Sequence, residues 1–121
     1  MRIAIIGSRT IKVENFESYI PPNVSEIVSG GARGIDVQAA EYAKSNSIPL
    51  MEFLPEYARY GRIAPLKRNE QIAQYADAVL AFWDGRSRGT MHTVFLFRRL
   101  GKPITVIEID ANGEQRFGNA P

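Results

Sequence analysis

Cysteine is absent from the 121-residue chain. That excludes a disulfide framework, a thiolate nucleophile and a zinc–thiolate cluster. Histidine occurs once, as His92, and tryptophan once, as Trp83. His92 falls in the last predicted helix with no serine or carboxylate partner beside it, so it reads as structural. Long apolar runs are also missing. None reaches the roughly 18 residues a membrane span needs, and Met1 to Gly7 is too short for a signal peptide. The expectation is a soluble, cytoplasmic protein with no membrane partner. No internal repeat or low-complexity segment is present.

A large net charge is lacking too: the total is +2. Its distribution is uneven. Arg59 to Lys102 holds nine basic residues and three acidic ones, against six and ten in the rest of the chain. A locally cationic stretch is either a solvated face or a surface for an anionic ligand or nucleic acid. Hydrophobic residues make up 45% of the chain, enough for one core and one domain at this length.

Apolar runs separated by helical periods give the element order. Arg2 to Ile6 is a continuous apolar strand, the pattern of a parallel strand covered on both faces. Lys12 to Ile20 is a short helix or irregular segment, ended by Pro21-Pro22. Val24 to Val28 is a second strand. A helix runs from about Gly34 to Asn46 on the stripe Ile35, Ala39, Tyr42 and Ala43. Ile48 to Leu54 is a third strand and Pro55 to Ala64 a loop. A helix from about Pro65 to Tyr75 turns Leu66, Ile72 and Ala73 to the sheet, with Pro65 suited to its first turn. Ala78 to Phe82 is a fourth strand. A helix from about Thr90 to Leu100 ends at Gly101, and Pro103 to Ile109 is a fifth strand.

Strands alternating with helix-length crossovers demand a parallel sheet with right-handed connections. The fold class is α/β: a Rossmann-like three-layer sandwich with a five-stranded parallel sheet in the order 3-2-1-4-5 and helices on both faces. It occupies residues 1–109. Residues 110–121 form a loose polar tail. Ligands in such sheets bind outside the carboxyl ends of the strands. The turns after strands one, two and four all reach that edge.

The strongest motif is Ser29-Gly30-Gly31-Ala32-Arg33-Gly34-Ile35-Asp36. A strand, a glycine turn and a helix start expose backbone N–H groups and the positive end of a helix dipole, a seat for a phosphate. Glycines alone serve packing; Arg33 among them suits an anion. Asp36 lies in the helix's first turn, where capping or pairing with Arg33 competes with ligand contact. Gly7-Ser8-Arg9 faces the same crevice. Asp84 and Ser87-Arg88-Gly89-Thr90 open the last helix, with Ser87 placed to cap it and its hydroxyls placed for a second phosphate or ribose group. Trp83 is a core or rim aromatic that could stack a base. Arg68-Asn69 would be an ordinary exposed pair on a helix. The last helix carries Val94, Phe95, Leu96, Phe97 and Leu100, apolar around most of its circumference, so one face covers the sheet and another meets a partner. A homo-oligomer, most simply a dimer, is expected.

Gly7-Ser8-Arg9, Ser29 to Asp36, Arg68-Asn69, Ala76-Asp77 and Ser87 to Thr90 match in order and spacing the SLOG superfamily of Rossmann-like nucleotide-sensing and nucleotide-processing domains. The chain most resembles its small stand-alone, YspA-like branch. The resemblance gives Arg68-Asn69 its weight and implies a nucleotide-derived small molecule as ligand. The LOG phosphoribohydrolase branch carries an Arg-Lys pair on a helix and a Pro-Gly-Gly-x-Gly-Thr-x-x-Glu turn. Arg68 and Gly89-Thr90 match it, while Asn69 replaces the lysine and Thr93 the glutamate. A threonine cannot supply the carboxylate that glycosidic cleavage calls for. The DprA branch, which acts on single-stranded DNA, carries motifs similar to Ser29 to Asp36 and Arg68-Asn69-Glu70, with an arginine where Glu70 stands.

The leading expectation is a sensor or effector domain that binds a nucleotide or nucleotide-derived phosphate ligand. Gly30, Gly31, Gly34 and Arg33 would hold one phosphate; Ser87, Gly89 and Thr90 a second group; Gly7, Ser8 and Arg9 would form the floor. Ser29, Asp36, Arg68, Asn69 and Asp84 complete the set. If the chain is an enzyme, the resemblance implies a nucleoside monophosphate phosphoribohydrolase with Arg68, Asp36 and Asp84 as catalytic candidates. Single-stranded nucleic acid is the third alternative. No metal site or cofactor is called for.

Overall fold

The computed structural model describes residues 1–116. Five strands form one parallel sheet: β1 (Arg2–Gly7), β2 (Glu26–Ser29), β3 (Leu50–Glu52), β4 (Ala78–Trp83) and β5 (Ile104–Glu108), in the order β3-β2-β1-β4-β5. The helices are α1 (Ile35–Ser45), α2 (Tyr57–Tyr60), α3 (Ala64–Tyr75) and α4 (Arg88–Arg99). The Rossmann-like topology expected from the alternating pattern is the one observed.

The central strands explain the two-sided core. β1 is flanked by β2 and β4, so its side chains alternate between two buried layers. Ile3 and Ile5 join Ile27, Leu80 and Phe82 beneath α1, with Ile35, Ala39 and Ala43 from the helix. Ala4 and Ile6 join Val28, Val79 and Ala81 beneath α3 and α4, with Ile72, Ala73, Val94 and Phe97. The register sets Gly7 beside Phe82, so the turns after β1 and β4 emerge side by side. The chain winds outward from β1 through β2 to β3, then crosses back to β4. The switch point therefore lies between β1 and β4.

Several expected boundaries shift. β3 is shorter than Ile48 to Leu54: it pairs only with β2, and Ile48 N–H instead caps α1 by donating to Ala43 O at 2.8 Å. Lys12 to Ile20 contains only a 3₁₀ turn over Phe16–Tyr19, held by aromatic contacts of Phe16 and Tyr19 with Phe82. The expected loop 55–64 folds instead into α2 and a 3₁₀ turn (Gly61–Ile63) that leads into α3. α4 begins at Arg88, two residues before the expected start, because Ser87 caps it by accepting Thr90 N–H at 3.3 Å. Leu66 does not face the sheet. It is 47% exposed, because the buried stripe of α3 runs through Ala64, Arg68, Asn69, Ile72 and Ala73.

Residues 110–116 are not loose. Asp110 N–H donates to Glu114 O at 2.9 Å, Arg116 N–H to Glu108 O at 2.7 Å, and Glu14 N–H to Gly113 O at 2.8 Å. The anchor is Ile109, 1% exposed, and Gly113 at φ 81 lets the turn lie against Lys12. The rest of the predicted tail, 117–121, lies outside the described residues. No helix among the described residues is long and apolar enough to cross a membrane.

Candidate functional site

The turns after β1, β2 and β4 meet above the switch point. Gly7 ends β1 where a Cβ would collide with the Ile35 side chain of α1 and lie 2.5 Å from Phe82 O of β4, so only glycine lets α1 start this close to the strand. Ser8 is 2% exposed; its N–H donates to Phe82 O, and its Oγ accepts Asp84 N–H at 3.2 Å. The two turns are thus joined. Between them and α3 opens a cleft of about 440 Å³.

Most predicted site residues line this cleft: Gly7, Ser8 and Arg9 on the floor, Gly30 and Asp36 at one side, and Asp84, Ser87, Gly89 and Thr90 at the other. Arg68 and Asn69 enter from α3. They were legible from sequence only by resemblance, and an exposed pair is not what folds. Stepping back four residues from Ile72 and Ala73 lands on Arg68 and Asn69, so helical phasing could have placed them on the buried stripe. Pro65 and Leu66, one turn earlier, form an apolar wall that sequence reasoning missed.

The glycine turn is arranged differently from expectation. Gly31 N–H donates to Ser29 Oγ at 3.3 Å and Ala32 N–H to Asp36 Oδ2 at 3.0 Å. Asp36 therefore supplies an internal anion where a phosphate was expected. Gly34 caps α1 at φ 68, with Ser8 O and Arg9 O each 2.7 Å from where a Cβ would stand; its role is packing. Ser29 and Gly34 do not line the cleft, and Arg33 and Gly31 border only a smaller adjoining cavity. Arg33 is exposed and does not pair with Asp36.

Arg68 sits at the centre. It is 9% exposed. Nη1 donates to Gly30 O at 2.8 Å and Nε to Asn69 Oδ1 at 3.0 Å. Among the described residues Nη2 has no hydrogen-bond partner, although the side chain lines the cleft. Burial pulls the Arg68 pKa down and the Asp36 carboxylate pushes it back up. Burial also raises the Asp36 pKa above its ordinary value, outweighing the Ala32 N–H bond and the pull of Arg68 and Arg9. Burial raises Asp84 as well, but there it is outweighed by the N–H groups of Arg86 and Ser87 and by Ser8, and the net direction is down. Arg86 and Ser87 N–H each donate to Asp84 Oδ1 at 2.8 Å, so Asp84 holds the turn that starts α4.

At that start, Thr90 is buried and its Oγ1 donates to Ser87 Oγ at 3.0 Å. A Cβ at Gly89 would meet nothing within 4 Å, so the backbone of the first turn is open to approach from the cleft. Thr93 Oγ1 donates to Gly89 O at 3.2 Å. His92, for which the sequence offered no partner, meets Asn69 Nδ2 with its Nδ1 at 3.1 Å. Trp83 does not line the cleft; its Nε1 donates to Ser87 O at 3.1 Å. The site thus combines a buried cation with a free edge, an approachable helix N-terminus, two carboxylates and an apolar wall.

No family model matches the chain. No solved structure matches it. A curated relative does: the gene 61 protein of Mycobacterium phage D29 is 33% identical over 116 residues, which covers 85% of this chain and 93% of the relative.

Proposed function

We propose, for a chain that belongs to the family of the phage D29 gene 61 protein, that the cleft binds a nucleotide or nucleotide-derived phosphate ligand and that the protein acts as a sensor or effector domain. One observation carries this reading. Arg68 is a largely buried residue, 9% exposed, whose Nη2 has no partner among the described residues and is not a buried atom, so it stands open to the cleft. Burying a charge is costly unless it is paired and hydrogen-bonded, and an anionic oxygen is the group that repays it best. The open first turn of α4 adds N–H donors and the dipole on the opposite side. Pro65 and Leu66 supply apolar surface for a base. The resemblance to SLOG domains supports the same ligand class.

Binding is favoured over glycosidic hydrolysis at this site. The position that LOG enzymes fill with glutamate is Thr93, 3% exposed and bonded to Gly89 O. Of the cleft carboxylates, Asp84 is engaged in holding a turn and Asp36 in holding the glycine loop. The outer face of α4, with Phe95 51% and Leu100 50% exposed, supports a second copy of the chain as partner. A monomer mass by light scattering at micromolar concentration would remove the dimer.

The test is a thermal-melt panel of nucleoside mono-, di- and triphosphates, dinucleotides and an oligonucleotide. A ligand at about 100 times its Kd adds roughly 2.7 kcal/mol, which raises the midpoint on the order of 10 °C for a domain of this size. Arg68→Met, which keeps the aliphatic stem, should abolish the shift while the melt stays cooperative. An unchanged shift in that variant would refute the cleft as the binding site. Chromatography of the same mixtures for free base decides hydrolysis.

A further inference from the structure

Three polar side chains are linked from α4 into the cleft. Arg68 Nε donates to Asn69 Oδ1 at 3.0 Å, and Asn69 Nδ2 meets His92 Nδ1 at 3.1 Å. Arg68 and Asn69 line the cleft and are buried. His92 does not line it and is only half-buried, so protons from solvent reach it. Among the described residues every buried side-chain nitrogen and oxygen has a hydrogen-bond partner. A bond reversed at one end of this chain is therefore felt at the other.

The chain has a direction. A guanidinium only donates, so Asn69 must give it the amide oxygen. The amide nitrogen is then left for His92, whose Nδ1 has to accept. Neutral imidazole can accept; imidazolium carries a hydrogen on both nitrogens and cannot. Once His92 is protonated, Arg68 Nε and His92 Nδ1 both offer a hydrogen to the one Asn69 oxygen, from opposite sides. A single amide cannot face both. Turned to His92, it sets its nitrogen against Nε, donor against donor, and Arg68 keeps only its bond to the Gly30 carbonyl.

The charged and titratable groups around His92 are already engaged or of its own sign. On α4 they are Arg88, Arg98 and Arg99. α4 packs on α3, β4 and β5. α3 carries Arg68, the pair Lys67 and Glu70, bridged at 3.6 Å, and Tyr75, which donates to Glu26. β4 carries none. β5 carries Glu108, bridged to Arg116 at 3.0 Å. Among the described residues none of the ion pairs engages His92. Asn69 is thus the group that answers its change of charge.

We propose that Asn69 and His92 are positioning residues for Arg68, and that protonation of His92 loosens Arg68 and weakens the cleft's hold on its anionic ligand. Histidine changes charge between pH 5 and 8, so the switch works near neutrality. This inference rests on the nucleotide reading above and adds the regulation of that site. Its sign is distinctive. A positive charge gained at His92 would by attraction alone tighten an anion. Acid acting on Asp36, whose pKa burial raises, would do the same by removing a negative neighbour of Arg68. Displacement of Arg68 works in the opposite direction.

The experiment has two arms, both on the intact chain, with wild type and His92→Gln. Glutamine offers an acceptor to Asn69 at every pH and takes up no proton. The first arm follows the Arg68 Nε–H and Asn69 side-chain amide signals of nitrogen-15-labelled protein from about pH 8 to about pH 5. In wild type both should shift with the midpoint of the His92 imidazole; in His92→Gln both should stay still. The second arm measures affinities for sulfate and the four nucleoside 5′-monophosphates near both ends of that range. Both proteins share Asp36 and the titration of the ligand, so the ratio of their affinities reports His92 alone. The two should agree within about twofold at the neutral end, and wild type should fall about tenfold below the variant in acid, as loss of one charge-assisted hydrogen bond implies. Arg68 and Asn69 signals that ignore the His92 midpoint overturn the coupling and leave the nucleotide site standing. A ratio that stays level, or rises in acid as attraction alone demands, overturns the regulation and also leaves the site standing. Binding by none of the five probes at either pH overturns the nucleotide reading and the regulation with it.

Discussion

Arg68 Nη1 donates to the Gly30 carbonyl at 2.8 Å across 38 positions of sequence, and this one bond ties α3 to the turn after β2. A Cβ at Gly30 would stand 3.0 Å from Arg68 Cζ and closer still to Nη1. Gly30→Ala should therefore act through Arg68. The displaced guanidinium should cost about 1–3 kcal/mol of stability and about tenfold or more in affinity for the proposed nucleotide ligand. Gly34→Ala is the contrast, because its φ of 68 and the backbone oxygens 2.7 Å away leave nothing flexible to move. That variant should lose more stability in a denaturant titration than Gly30→Ala. Equal losses would contradict the assignment of Gly30 to the ligand side and Gly34 to packing.

The two cleft carboxylates predict opposite pH profiles. Burial raises the Asp36 pKa above its ordinary 3.8. A group raised on folding contributes its stability below the unfolded pKa and loses it as pH rises through the folded pKa. Asp36→Asn should match wild type in acid and equal or exceed it at neutral pH. It should also strengthen binding of an anionic ligand, because it removes a negative neighbour of Arg68. Asp84 is shifted down from 3.8: burial pushes it up, but the N–H groups of Arg86 and Ser87 and the Ser8 hydroxyl prevail. Its contribution is present above the unfolded pKa and lost as pH falls through the folded one. Asp84→Asn should be less stable than wild type at neutral pH, with the gap closing in acid. Urea titrations across pH decide both.

Asn69 has no choice of orientation. Arg68 Nε is a donor, so Asn69 turns Oδ1 to it and presents Nδ2 to His92. An amide nitrogen donates, so His92 Nδ1 must accept and the ring proton must sit on Nε2. Nitrogen chemical shifts of labelled His92 at neutral pH should report the Nε2–H tautomer. An Nδ1–H tautomer would mean that the Arg68–Asn69–His92 chain is arranged otherwise.

Lys102 ends α3 from a distance. Its Nζ donates to Ala73 O at 2.7 Å, Gln74 O at 3.0 Å and Ala76 O at 2.8 Å, carbonyls at the helix C-terminus that have no partner within the helix. Lys102→Met should cost about 1–3 kcal/mol. At roughly 4 °C per kcal/mol for a chain of this length, the melting midpoint should fall by about 4–12 °C. A shift under 2 °C would show that water replaces the ammonium without loss.

Strand and helix alternation, the sheet order and the carboxyl-edge crevice were all legible in the sequence, because hydrophobic period and crossover length are local properties. Ile3 to Ile6 announces a doubly covered strand by itself, and Ser87 announces a helix start. Which donors of the crevice stay open to the cleft was not local. The Gly30–Gly34 turn reads as a phosphate loop until Asp36 folds back on Ala32 N–H and supplies the anion from within. Arg68 reads as a surface cation until the packing of Ile72 and Ala73 rotates it inward against Gly30. Lys102 and His92 found their partners across 26 or more residues and 23 residues, respectively. Sequence by itself determined the fold, because burial of alternating apolar runs leaves one economical topology. Only tertiary structure decided the charge pattern of the cleft, because which donors remain free depends on which are already taken by distant parts of the chain.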